Sequence, residues 1–160
     1  MAAVQLLDQR DPQTAQAIYQ LQQAAYTVER DLIEYPDFPP LRVSAGDIQR
    51  EPGSFLGVWE AGRLVGAISF TADGGLLDIG RLIVHPDAFR RGLASALLQA
   101  AERYDAACDR ITVSTAEKNT PAVALYQKHG YRPVQRTLLP DGLALVRFAK
   151  QKLKGALWPS

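Results

Sequence analysis

The stretch from Leu76 to Ala106 constrains the fold more than any other part of the chain. It holds an apolar run, LLDIGRLIV, a turn, HPDAF, and then RRGLASALLQAAERYDA, which has the spacing of an amphipathic helix. A strand that is apolar on both faces belongs near the middle of a sheet covered on each side. Along the helix, Leu93, Leu97, Ala101 and Tyr104 recur as the stripe that docks it on such a sheet. The helix opens at Gly92, beside Arg90 and Arg91. Unpaired N–H groups at a helix N-terminus carry the positive end of its dipole, so a phosphate can be held there by main chain. Gly92 lets the backbone come close, Ala94 keeps the first turn narrow and the arginines add charge. The expected ligand is a pyrophosphate.

The chain has no G-x-x-x-x-G-K-[ST] and no G-x-G-x-x-G, which removes the two commonest phosphate loops. Downstream, a strand RITVSTA leads into NTPAVALYQKHGYRP. The order strand, V-H-P, short turn and R-R-G-L-A-S-A-L-L resembles the coenzyme A loop of the GNAT superfamily of acyl-CoA N-acyltransferases. The second segment resembles the other half of that family's cofactor site, and together the two motifs span Leu76 to Pro133. In the family's loop pattern, [QR]-x-x-G-x-[GA], Gly92 and Ala94 fill the last two places and the first falls on Phe89, which has no donor for a phosphate. Either Arg90 or Arg91 makes that contact, or the main-chain amides from Arg90 to Ser95 suffice. The resemblance implies acetyl-CoA or coenzyme A as cofactor. It would be held by main chain at Leu82 and Val84, by the loop Phe89, Arg90, Arg91, Gly92, Leu93, Ala94 and Ser95, and by Asn119, Ala122 and Tyr126.

The rest of the chain supplies the elements such a sheet needs. Val4 to Leu7 reads as a first strand, and Asp11-Pro12 as an N-cap with proline at the first position of a helix reaching about Val28. Tyr35 to Arg42, YPDFPPLR, is a loop because of its three prolines. Ser44 and Asp47 cap a short helix to Arg50, and Ser54–Glu60 and Leu64–Thr71 form a hairpin around Ala61-Gly62. After the cofactor helix come strand Arg110–Thr115, helix Pro121–His129 closed by Gly130, and a hairpin of Tyr131–Leu138 and Leu143–Ala149 turned by Pro140-Asp141-Gly142. This order predicts an α/β fold, a mixed and mostly antiparallel central sheet with helices on both faces. It is also the order of elements in the GNAT family, and it predicts a single domain over residues 1–160 with a cofactor core at about 76–133.

Composition narrows the class of function. With 160 residues, 47% of them hydrophobic, the chain can bury a core without staples. A net charge of +1 gives no support to nucleic-acid binding, although Arg90, Arg91 and Arg103 form a local basic cluster. One cysteine, Cys108, excludes an intrachain disulfide framework and reads as a plain thiol. No signal peptide, lipidation signature or long apolar run is present, so no membrane association and a cytoplasmic location are expected. A homodimer is compatible with all of this.

Acyl transfer from a thioester to an amine needs a neutral amine, a stabilised oxyanion and a proton for the departing thiolate. His85 and His129 lack metal-ligand spacing, and no serine sits in a G-x-S-x-G elbow. Asn119, Ala122 and Tyr126 share one helix face. Spacing alone fits core packing for Tyr126 and a helix cap for Asn119. The resemblance instead makes Tyr126 the general acid near the sulfur and Asn119 a cofactor ligand. Asp78 is expected as general base or water-holding relay, on a strand face shared with Gly80, Leu82 and Val84, or else as a residue that only orients substrate. Glu117 or a water chain stands next in line. The acceptor side is expected between Thr27 and Arg42, at Glu29, Glu34, Tyr35 and Phe38, with Arg136 and Asp141 of the last hairpin. Its acidic residues suit a cationic amine or form a solvated face. The chain thus reads as an acetyl-CoA-dependent N-acetyltransferase acting on a small-molecule or peptide amine. Two alternatives remain: a non-catalytic acyl-CoA sensor, and an enzyme acting on a protein N-terminus or an aminoacyl-tRNA.

Overall fold

The structure, a computed structural model, describes residues 3–152; residues 1–2 and 153–160 of the expected domain span lie outside the described residues. Strands β1 (Gln5–Leu7), β2 (Ser54–Glu60), β3 (Arg63–Asp73), β4 (Leu76–Val84), β5 (Arg110–Ala116), β6 (Arg132–Leu138) and β7 (Ala144–Gln151) form one sheet in the order β1-β2-β3-β4-β5-β7-β6. Every pairing is antiparallel except β4 with β5. The mixed, mostly antiparallel sheet expected from the sequence is therefore present.

Helices cover both faces. Helix α1 (Pro12–Ile33) starts at Asp11, whose carboxylate accepts from the Thr14 amide at 3.0 Å, and stops where Glu34 turns left-handed at φ 56°. It runs past the expected end near Val28 because no breaker occurs before Pro36. Helix α2 (Ala45–Gln49) has the reciprocal Ser44/Asp47 cap. These two helices bury Ile18, Leu21 and Ile48 against Phe55, Ala67 and Ile83 on one face. Helices α3 (Leu93–Tyr104) and α4 (Thr120–Lys128) cover the other, where Leu97, Leu98, Ala101 and Tyr126 pack on Ile68, Ile79, Val113 and Phe148. No helix among the described residues is long and apolar enough to cross a membrane.

Two irregularities of β4 shape everything that follows. Ser69 pairs with Arg81 but Phe70 with Ile79, so Gly80 is an extra residue, a β-bulge. The bulge reverses the alternation of side chains. Leu77 and Ile79 lie on the α3 face before it; after it Leu82 and Val84 take that face, while Ile83 and Arg81 turn to α1, Arg81 standing 5.0 Å over the Phe55 ring. The shared face expected for Asp78, Leu82 and Val84 is corrected accordingly, because period-two alternation does not survive an inserted residue. The second irregularity is that pairing between β4 and β5 ends at Ile79↔Val113. Beyond that point the strands part and open a gap through the sheet.

Candidate active site

The gap lets helices from opposite faces meet. A cavity of about 490 Å³ is bounded by Leu82–Val84 of β4, the loop and first turn of α3, the first half of α4, and one stripe of α1. That stripe is Ala25, Val28, Glu29 and Leu32, at the i, i+3, i+4, i+7 spacing of a single helix face. Its last members exist as a stripe only because α1 continues to Ile33.

The loop before α3 is built for close approach of a ligand. Arg90 and Gly92 both sit at positive φ, 65° and 77°, and Gly92 occupies the N-cap position without offering a side-chain cap. The first amides of α3, at Leu93, Ala94 and Ser95, are therefore left to an external acceptor. A Cβ added at Gly92 would meet no protein atom within 4 Å, so the space it would fill belongs to the cavity. A left-handed arginine costs of order 1–3 kcal/mol in backbone strain, which its surroundings must hold in place. Arg90 lines the cavity with Phe89, whose ring is 45% exposed and ends at the rim. Arg91 does not line it; its guanidinium is turned to Glu60 of β2 at 2.7 Å. Ser95 faces the cavity and its hydroxyl meets His129 Nε2 at 2.9 Å, which ties the start of α3 to the end of α4.

Helix α4 presents Asn119, Ala122 and Tyr126 to the same space. Asn119 is the N-cap, accepting from the Ala122 amide at 3.3 Å, and its side chain lies beside Glu29 of α1. A cap and a site residue are here the same side chain. The Tyr126 ring is buried between Tyr131 and Phe148, with centroids at 5.7 and 5.8 Å, and no hydrogen bond within the described residues takes up its hydroxyl. Burial, helped by the Glu29 charge, pushes that phenol well above its ordinary pKa and keeps it protonated. Burial also raises the Glu29 carboxyl, against a smaller lowering by the Asn119 side chain.

Several residues singled out in the sequence lie elsewhere. Asp78 is outside the cavity, and its Oδ1 accepts from the Thr112 hydroxyl at 2.6 Å with Arg147 Nη2 at 3.5 Å. Glu117 is clamped by Arg136 at 2.8 and 3.0 Å, which holds its carboxyl below the usual range. Glu34 pairs with Lys118 at 3.3 Å, Tyr35 lies beside Asp141 of the β6–β7 turn, and Phe38 packs edge-on against Tyr26. Glu34 and Tyr35 border a smaller hollow at the end of α1. None of these three enters the main cavity. Glu29, expected on the acceptor side, does line the main cavity, whereas its neighbours Ala25, Val28 and Leu32 were not anticipated there. The only available signal was the uninterrupted helical spacing from Ala25 to Leu32.

The fold and much of the sequence recur in known proteins. The chain is 36% identical over 145 residues to the UPF0157 protein YqkA of Bacillus subtilis, an alignment that takes in 91% of this chain but only 42% of YqkA. In fold it is similar to the ribosomal-protein-S18-alanine N-acetyltransferase of Escherichia coli, with a TM-score of 0.73 and 19% identity over 98% of this chain and 97% of that one. It is equally close to the PaiA N-acetyltransferase of Thermoplasma acidophilum, solved in complex with coenzyme A, with a TM-score of 0.74 and 14% identity over 96% and 99% of the two chains. Residues 15–131 match the model of the Acetyltransferase (GNAT) family, a span that runs from α1 through the loop and α3 to Tyr131 beyond α4. Since that match takes in most of the chain and every wall of the cavity, the chain belongs to the GNAT acetyltransferase family.

Proposed function

We propose that this chain is an acetyl-CoA-dependent N-acetyltransferase that acetylates a primary amine, carried by a small molecule or a peptide, by direct transfer with both substrates bound together. One observation carries the reading: a single cavity joins the uncapped start of α3, the unpaired edge of β4 and the Tyr126 phenol. The residues suit the cofactor. Amides at Leu93–Ser95 and the Arg90 side chain would take a pyrophosphate, and the apolar wall of Ala122, Leu125 and Val84 would take a pantetheine arm. Acetyl-CoA supplies the acetyl group as a thioester, activated for attack by an amine.

The chain's own groups do the rest. Beyond Ile79 the main-chain groups of β4 that would have paired with β5 are free to orient the acyl carbonyl and to donate to its oxygen as charge builds there. The apolar stripe of α1 forms the opposite wall, where the exposed Val28 and Leu32 side chains would be covered by a bound thioester arm. Tyr126, kept protonated by burial, gives its phenolic proton to the departing sulfur. The test is a thiol-release screen of acetyl-CoA against an amine panel, followed by Tyr126→Phe. That variant keeps the ring and removes only the hydroxyl, so turnover should fall by ~10²-fold or more with acetyl-CoA affinity little changed. Parental turnover in the variant would return Tyr126 to core packing. Cofactor binding without thiol release from any amine would favour an acyl-CoA sensor.

A further inference from the structure

Glu29 is the only carboxylate among the residues lining the cavity, and Arg90 the only cation. The other carboxylates around the site are already engaged: Glu117 by Arg136, Glu34 by Lys118, Glu60 by Arg91, Asp78 by Thr112 and Arg147. Glu29 has no ion pair among the described residues. Its polar neighbour is the Asn119 side chain, and it stands in the apolar stripe of Ala25, Val28 and Leu32. An unneutralised carboxylate on an apolar wall is expensive, and the cost is offset when a cation comes to it. With Arg90 at the phosphate end of the cavity and not paired to Glu29, the cation would come from outside, and Glu29 lies close enough to Tyr126 for its charge to act on the phenol.

We propose that Glu29 receives the acceptor as its ammonium ion and takes one of its protons, which makes the acceptor an amine that is protonated in solution and Glu29 the catalytic base. This rests on the N-acetyltransferase reading above. The ammonium gives one proton to a Glu29 carboxylate oxygen and becomes a neutral amine. The nitrogen lone pair forms the bond to the acyl carbon, the carbon–sulfur bond breaks, and the sulfur takes the Tyr126 proton. The second proton, shed as the amide forms, returns to Tyr126, and Glu29 releases its own to solvent. One ammonium and one thioester yield one amide, one thiol and one proton. The groups facing Glu29 are Tyr26 on α1 and Asn119 and Tyr126 on α4, with Arg90 across the cavity; the Leu82–Val84 segment contributes no titratable side chain. Burial lifts the Glu29 pKa, which strengthens it as a base.

Two measurements test this. In the free protein, carbon-13 NMR of the Glu29 carboxyl should give a midpoint above the ordinary value of about 4.3. With an acceptor from the screen, Glu29→Gln should lower kcat/KM by ~10²-fold near neutrality. It should also remove the acidic limb of the pH profile, raise the acceptor KM and recover toward the parent above the amine's own pKa. Glutamine keeps the side-chain volume and an acceptor for Asn119, and an unchanged melting temperature checks the fold. An ordinary midpoint, an unchanged profile, or an equal loss at every pH each overturns the proposal, the last by making Glu29 a positioning residue. A parent that releases no thiol with any amine defeats the acetyltransferase reading and this inference together, whereas an active parent with an indifferent Glu29→Gln variant defeats this inference alone.

Discussion

Gly80 is one residue more than the β3–β4 ladder can pair, and its insertion turns Asp78 and Leu82 to opposite faces of the sheet. Asp78 then meets Thr112 and Arg147 instead of the cavity. Its role in a half-exposed polar cluster is structural and small, since an ion pair of this exposure contributes within about 1 kcal/mol. Asp78→Asn should keep the whole pH profile of kcat/KM and lower the melting temperature by no more than about 2–4 °C, read by a pH-rate series and thermal denaturation. Loss of the acidic limb in that variant would restore Asp78 as the base and count against Glu29. The sequence carried a hint of the bulge, because a glycine inside an apolar strand marks one, but nothing in it says which way the register slips. Asn119 and Tyr126 were legible as a pair because helix spacing is local. Glu29 was legible as an acceptor-side carboxylate, but its place beside Asn119 was not, since that residue lies 90 positions away on the other side of a sheet.

Elements were read most surely where chemistry is local. Asp11, Ser44 and Asn119 each cap the helix they were expected to cap or precede, and the hairpins turn near the expected glycines. The extent of α1 was missed by five residues, because its C-terminus is set by the left-handed turn at Glu34, which a glutamate does not advertise. The loop ahead of α3 is the element on which the proposed cofactor binding depends. Its positive φ at Gly92 and the open space beside it make Gly92→Asp a direct probe. Aspartate tolerates the left-handed region better than most residues, so the fold should survive. Its carboxylate would stand where the phosphate is expected, and like-charge repulsion together with lost space should remove measurable coenzyme A binding by calorimetry. Unchanged affinity would mean that the anion lies elsewhere. Phe89, which departs from the family pattern, closes the short turn Pro86–Ala88 with its amide donating to Pro86 O, and its side chain is exposed.

At the scale of the whole molecule, the cavity exists because the sheet is incomplete. The β4–β5 ladder stops at Ile79↔Val113, and α1 from one face reaches α4 on the other through the opening. A ligand spanning the opening would contact main-chain groups of β4 and apolar walls that β5 does not cover, and should stabilise the folded state. The order of elements made this sheet legible in advance. The splay was not legible as geometry, because it arises from where two distant strands cease to pair. A ligand that binds only the folded state stabilises it by RT ln(1 + [L]/Kd), about 2.7 kcal/mol at ~100 times Kd. For a domain of this size that corresponds to a rise in melting temperature of about 5–11 °C. Acetyl-CoA should therefore give this shift with the parent and with Tyr126→Phe and Glu29→Gln, which alter proton transfer and leave the phosphate cradle intact. The shift should vanish with Gly92→Asp. A parent that melts at the same temperature with saturating acetyl-CoA would show that the opening in the sheet is not the cofactor's place, and the roles assigned to Tyr126 and Glu29 would fall with it.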